Sequence, residues 1–136
     1  MKVFVDTSAF VALENRRDAV HGRAVRAYRK MLKDSIRLVT SDYVVDETVT
    51  LLKRRAGVDV AAAWGRKLLA SGLFEVTFVE RSSLESGLDI LESTGDQPFS
   101  FTDCTSFALM RAQGIETAFA FDADFSRFGF DLIPRS

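Results

Sequence analysis

Residues 1–10, MKVFVDTSAF, set the apolar run KVFV (2–5) directly against an acid and two hydroxyl residues, Asp6, Thr7 and Ser8, before apolar residues resume. A β-branched and aromatic run of that length, closed by polar residues, predicts a short buried strand. TSAFVALEN then predicts a helix capped by Thr7 or Ser8, whose hydroxyls can accept from the free N–H groups of a first turn. The strand therefore ends where the chain presents a carboxylate, and the helix that follows holds that carboxylate in place.

The alternation begun there continues along the chain. HGRAVRAYRKMLK (21–33) spaces its apolar residues at three and four, with arginines and lysines between them, which predicts an amphipathic helix with a basic outer face. RLVT (37–40) reads as a strand. Ser41 is placed to cap DYVVDETVTLLKRR, with Asp42 favouring its positive end, Lys53, Arg54 and Arg55 its negative end, and Gly57 stopping it. Residues 58–71 predict a helix, LFEVTFV (73–79) a strand and 82–94 a helix. DQPFSF reads as a loop, after which Thr102 is expected to cap TDCTSFALMRAQG, making Asp103 its first helical residue. ETAFAF (116–121) predicts a strand, DADFSRF a helical turn and FDLI a strand at the sheet edge. Strands alternating with helices, without repeats or low-complexity linkers, imply an α/β domain whose mostly parallel sheet is covered on both faces.

The 136 residues, 47% hydrophobic and 27% charged, suit one domain spanning 1–136 with a single core. No apolar stretch approaches a membrane span, and an acid at position six does not fit a secretory leader. The lone Cys104, in an apolar setting, reads as a small buried side chain, and a cytoplasmic location is expected. Phenylalanines crowd the C-terminal part at 99, 101, 107, 119, 121, 125, 128 and 130. Core packing is their first reading, with base stacking a lesser option for Phe99 or Phe101 in the loop.

Open α/β sheets bind ligands beyond the carboxyl ends of their strands, which directs attention to Asp6 and Asp122, each just after a predicted strand. Asp103 and Glu47 lie near helix starts that open on the same edge. Glu47 has mostly apolar neighbours at three and four residues, so it is expected to face inward more than Asp46. Four carboxylates converging without Lys or Arg beside them would repel one another unless a divalent ion neutralises them. Oxygen ligands without a Cys or His cluster suit Mg²⁺ or Mn²⁺ rather than zinc. Taken singly, each acid is better explained as a cap or a solvated residue than as a catalytic one.

Together, VFVDTSAFVAL, SDYVVDETVTLL, SFTDCTSFALM and AFAFDADFSRFGF resemble, in order and spacing across nearly the whole chain, the PIN-domain ribonucleases, and among them the VapC-type toxins of toxin–antitoxin pairs. The resemblance implies a three-layer α/β/α sandwich around a sheet of about five strands, and an acidic Mg²⁺ or Mn²⁺ site that hydrolyses RNA. Carried over by position, Asp6, Glu47, Asp103 and Asp122 match the family's catalytic and metal-binding acids, with Asp124 peripheral. Thr7, Ser8 and Thr102 match supporting hydroxyls. An antitoxin partner and a homodimer are further implications.

No His stands near these acids in sequence, and His21, opening the basic helix, is expected at the surface or as a cap. Arg16, Arg17, Arg23, Arg26, Lys53, Arg54 and Arg55 are the cations available to bring RNA to an acidic pocket. Net charge of −1 neither favours nor excludes nucleic acid. Two other readings compete. An aspartyl-phosphate enzyme would use Asp6 as nucleophile. The phosphatases of that kind need an acid two residues on, where Ser8 stands, and a receiver domain needs a Lys after a late strand, which is missing after ETAFAF. The alternatives within the family are an RNA-processing role outside toxin systems and a silent interaction module.

Overall fold

The computed structural model describes residues 1–135. In chain order the elements are β1 (Lys2–Val5), α1 (Thr7–Glu14), α2 (His21–Lys33), β2 (Arg37–Ser41), α3 (Asp42–Ala56), α4 (Val58–Ala70), β3 (Phe74–Thr77), α5 (Arg81–Ser93), α6 (Phe101–Gln113), β4 (Thr117–Phe119), α7 (Asp124–Phe128) and β5 (Asp131–Ile133). The five strands form one sheet in the order β3-β2-β1-β4-β5, and every pairing is parallel. The expected mostly parallel sheet of about five strands is thus wholly parallel.

Parallel neighbours require crossovers, and crossovers are right-handed. The chain steps from β1 through β2 to β3, then crosses back to β4 and β5 on the far side of β1. That reversal places α1 to α4 on one face and α5 to α7 on the other. α1, α2, α3 and α4 pack among themselves, as do α5, α6 and α7, and α3 meets α6. The order of strands turns round between β1 and β4, the place where such sheets bind ligands at their carboxyl ends.

The core is apolar on both sides of the sheet. Val3, Phe4 and Val5 of β1 are fully buried, as the continuous apolar run of a central parallel strand requires. On one face Phe10 meets Trp64 and Phe74 at 5.1 and 5.5 Å. On the other, Phe107 sits among Phe99, Phe125, Phe128 and Phe130. Phe99 is therefore core, which removes it as a stacking surface, and Phe101 is half-buried with its ring 6.5 Å from Tyr43. Cys104 is completely buried and free, as expected. No described helix is long and apolar enough to cross a membrane.

Two strands are shorter than the sequence predicts, for a common reason. β3 pairs only with β2, and that ladder ends at Ser41 opposite Thr77, where Ser41 turns to accept from Val44 N–H as the cap of α3. Val79 N–H, without a strand partner, donates to Asp42 Oδ1 at 2.7 Å. β4 likewise stops at Phe119, and the Phe121 N–H donates to the Ser8 hydroxyl at 3.0 Å instead of to a strand.

Candidate active site

Asp6 leaves the sheet at its switch point. Its N–H donates to the Phe119 carbonyl at 3.1 Å, extending the β1 to β4 pairing by one residue. Its backbone stays extended, and its side chain accepts from Ser8 N–H, so Asp6 itself is the N-cap of α1. This corrects the expected cap at Thr7 or Ser8: both are already helical. Ser8 Oγ donates to Asp6 Oδ2 at 2.7 Å and accepts the Phe121 N–H. Thr7 lies on the other side, buried, with its hydroxyl directed to the Val44 carbonyl at 3.5 Å and receiving Thr48 Oγ1 at 3.1 Å. These contacts bind α1 to α3, the helix that carries Glu47.

Glu47 is half-buried and Asp46 exposed, as the spacing predicts. Asp103 belongs to α6, but not as its first residue. The cap is Ser100 rather than Thr102, and a reciprocal pair forms: Ser100 Oγ accepts from Asp103 N–H at 3.0 Å while Asp103 Oδ2 accepts from Ser100 N–H at 3.0 Å. The S-x-x-D spacing of 100–103 carried that signal. Helix formation two residues earlier lets Phe101 face Tyr43. Thr102 contributes its carbonyl, accepting from Thr105 and Ser106, and does not line the cavity described next.

One open cavity of about 470 Å³ collects the acids. Asp6, Glu47, Asp103, Asp122 and Asp124 all line it, with Thr7 and Ser8. Asp124, expected at the periphery, is more buried than Asp122. Its carboxylate is held by Arg127 at 2.9 Å, and its N–H donates to Asp122 Oδ1 at 2.9 Å. Sequence reading missed Ser100 and also Asp18, which reaches the cavity from the loop between α1 and α2 and accepts from Val20 N–H. No periodic pattern marks Asp18. Arg55 is the single cation of this lining, and the other six basic candidates lie outside it. His21 is no cap: its Nδ1 is 2.8 Å from the Ala12 carbonyl, tying α2 to α1.

Burial and mutual repulsion make the acids reluctant to ionise together. Asp6 is 4% exposed, and burial raises its pKa from 3.8 to about 6, against the lowering effect of the Ser8 hydrogen bonds, with Glu47 adding repulsion. Asp103 rises to about 7, first through burial and then through the charges of Asp6, Asp124 and Asp122, opposed by the Ser100 N–H. Asp124 is also raised, by burial and by Asp122, with Arg127 opposing. The carboxylates thus feel one another across the cavity. Among the described residues no three of them form a ready-made metal cage. The donor chemistry nonetheless fits a hard divalent cation: oxygen ligands only, high negative charge, and carboxylates whose ionisation a cation would favour.

The chain's kinship follows from this layout. Residues 3–131 match the PIN-domain family model. The chain belongs to the PIN-domain family. The resemblance read from its four motifs is borne out, and so is the fold it implied. This PIN domain is 41% identical over 94% of its length to the 23S rRNA-specific endonuclease VapC20 of Mycobacterium tuberculosis, covering 95% of that protein. Its structure is similar to that of M. tuberculosis VapC20, a sarcin-ricin loop cleaving toxin, with a TM-score of 0.85 at 40% identity over 94% of this chain and 95% of that one. VapBC2 from Rickettsia felis, solved bound to a DNA fragment from its promoter, shares the fold with a TM-score of 0.71 at 13% identity, each chain covered to 97%.

Proposed function

We propose that this PIN domain is a metal-dependent endoribonuclease and the toxin of a toxin–antitoxin pair. The observation that carries the reading is the convergence of Asp6, Glu47, Asp103 and Asp122, from four separate elements, in one cavity at the switch point of the sheet. Identity of 41% with VapC20 supports ribosomal RNA as substrate, with the sarcin-ricin loop as the site of cleavage.

Asp6, Glu47 and Asp103 would hold the cation, with Asp122 completing the set; Mg²⁺ is the expected ion and Mn²⁺ a substitute. Such an ion supplies an activated water and neutralises charge on the phosphoryl group. The chain's own residues do the positioning. Ser8 fixes the Asp6 carboxylate, Ser100 fixes Asp103, and Asp122 and Asp124 are set by the turn into α7. Attack of water on phosphorus breaks the bond to the 3′-oxygen, leaving a 5′-phosphate and a 3′-hydroxyl. The VapBC neighbour supports an antitoxin partner, and a homodimeric state and a cytoplasmic location complete the proposal.

Purified protein, freed of any bound partner, is incubated with bacterial ribosomes and with a synthetic sarcin-ricin stem-loop, and the new 5′ ends are mapped. A single metal-dependent cut within the loop is expected. Scattered cuts would contradict the substrate, and intact RNA in both samples would contradict the nuclease.

A further inference from the structure

A second cleft, about 800 Å³, opens beside the acidic cavity and shares Phe121 with it. Arg23, Phe130, Leu132, Pro134 and Arg135 make up much of its wall, and Asp131, exposed, is its one carboxylate among the described residues. Charge thus changes sign across a single aromatic ring. Beyond the cleft, Arg23 and Arg135 continue into a third groove of about 320 Å³, where Arg26 joins them and Lys30 is paired with Asp34 at 3.2 Å.

Phe121 differs from its nearest phenylalanine neighbours in the chain. Phe119 and Phe125 are fully buried, whereas Phe121 is half-exposed, with Phe119 at 6.1 Å on one side and the Arg23 guanidinium 5.6 Å from its ring centre. Its backbone N–H donates to Ser8 Oγ, which donates to Asp6. The Phe121 backbone is therefore fixed two hydrogen bonds from the Asp6 carboxylate. Arg23 is half-buried and forms no ion pair among the described residues; its Nη2 donates to the Arg135 carbonyl at 3.4 Å. A guanidinium kept clear of carboxylates beside an accessible ring offers a phosphate donor and a stacking plane together.

We propose that this second cleft is a nucleotide subsite: an unpaired base next to the scissile phosphate stacks on Phe121, while Arg23, with Arg135 beside it, holds the adjoining phosphate. The inference rests on the ribonuclease reading and deepens it. Single-stranded RNA is recognised by stacking its splayed bases on aromatic rings and guanidinium planes. The cleft offers both at one end of a basic track and opens into the acidic cavity at the other. An acidic peptide would use the arginines but gain nothing from the half-buried ring.

The test uses fluorescence anisotropy of a fluorescein-labelled unstructured RNA octamer in EDTA, where no turnover occurs, with kcat and KM measured separately in metal. Phe121→Leu keeps apolar bulk against Phe119 and is expected to weaken binding by about 5-fold to 100-fold, the span set by stacking of one base. Phe121→Trp restores affinity. Arg23→Gln weakens binding and lowers the salt slope by about 0.7. Thermal melting verifies that each variant is folded. Octamer affinity and KM unchanged in Phe121→Leu, or no octamer binding by the wild type, would overturn the subsite. So would RNA affinity that holds while affinity for a partner protein is lost, which would give the cleft to protein recognition. A wild type that cuts no RNA, combined with weakened octamer binding in Phe121→Leu, would remove the nuclease reading and leave the subsite standing.

Discussion

The Ser8 hydroxyl donates to Asp6 Oδ2 at 2.7 Å, and through the Phe121 N–H that it accepts at 3.0 Å it joins the ends of β1 and β4. One small side chain thus orients a buried acid and closes the sheet at its switch point. Ser8→Ala leaves the Phe121 N–H without its acceptor and Asp6 without a bond that favours its ionised form. The expected loss is about 1–3 kcal/mol of stability. The acid limb of the rate profile is expected to move to higher pH, because the Ser8 bonds lower the Asp6 pKa. A pH–rate profile identical to wild type would contradict this role.

Ser100 and Asp103 cap α6 reciprocally, yet their substitutions are expected to diverge. Ser100→Ala loses a cap and costs about 1 kcal/mol. Asp103→Asn keeps an acceptor for Ser100 N–H while removing a charge that burial and three other acids oppose. Without metal at pH 8 it is expected to melt higher than wild type, and to cleave nothing. Lower melting of Asp103→Asn at that pH would show that repulsion among the acids is not what the fold bears there.

The same raised carboxyls set a pH dependence of unusual sign for aspartates. Asp6, at about 6, and Asp103, at about 7, lie above the unfolded value of 3.8, so between those limits the folded chain binds more protons than the unfolded one. Stability of the metal-free protein is therefore expected to fall as pH rises from about 4 to 7, by about 3 to 4 kcal/mol per group. Urea unfolding in EDTA at several pH values measures it. Stability that rises through this window would contradict the buried-acid account.

A cation should reverse that trend. Mg²⁺ or Mn²⁺ at pH 7.5 is expected to raise the melting temperature in a concentration-dependent way, since a ligand that binds only the folded state stabilises it by mass action. Asp6→Asn and Glu47→Gln are expected to lose most of this rise. Equal stabilisation of wild type and both variants would place the ion elsewhere.

Arg55 is the one cation in the lining of the acidic cavity and is exposed there. Arg55→Gln is expected to weaken RNA binding at low salt and to reduce its salt dependence by about 0.7 in slope. A KM that rises while kcat holds would mark it as a substrate contact.

Much of this was legible in the sequence because each strand ends in a recognisable event. KVFV stops at Asp6, RLVT runs into the Ser41 cap, and both strands lie where periodicity puts them. The inward side of Glu47 could be read from its neighbours on the helix face. What sequence could not supply was decided by partners distant along the chain. Asp6 caps α1 through the Ser8 N–H, while the Ser8 hydroxyl is taken up by Asp6 and by Phe121, more than a hundred residues away. The lengths of β3 and β4 depend on where the adjacent strand turns away. Asp18 enters the cavity by loop geometry alone, whereas the core reading of Phe99 holds, since α6 and α7 close round it and remove the lesser option of stacking. The Ser100–Asp103 spacing is legible as a capping box, with which the hydroxyl of Thr102, adjacent to Asp103, competes in the sequence.

The most direct test of the central claim is cleavage of bacterial ribosomal RNA by purified protein, wild type against Asp6→Asn, each in Mg²⁺ and in EDTA. Discrete fragments with 5′-phosphate ends in wild type with Mg²⁺, absent from the other three samples, are the predicted result. Fragments that persist in Asp6→Asn or in EDTA would contradict an acid-held metal as the source of cleavage.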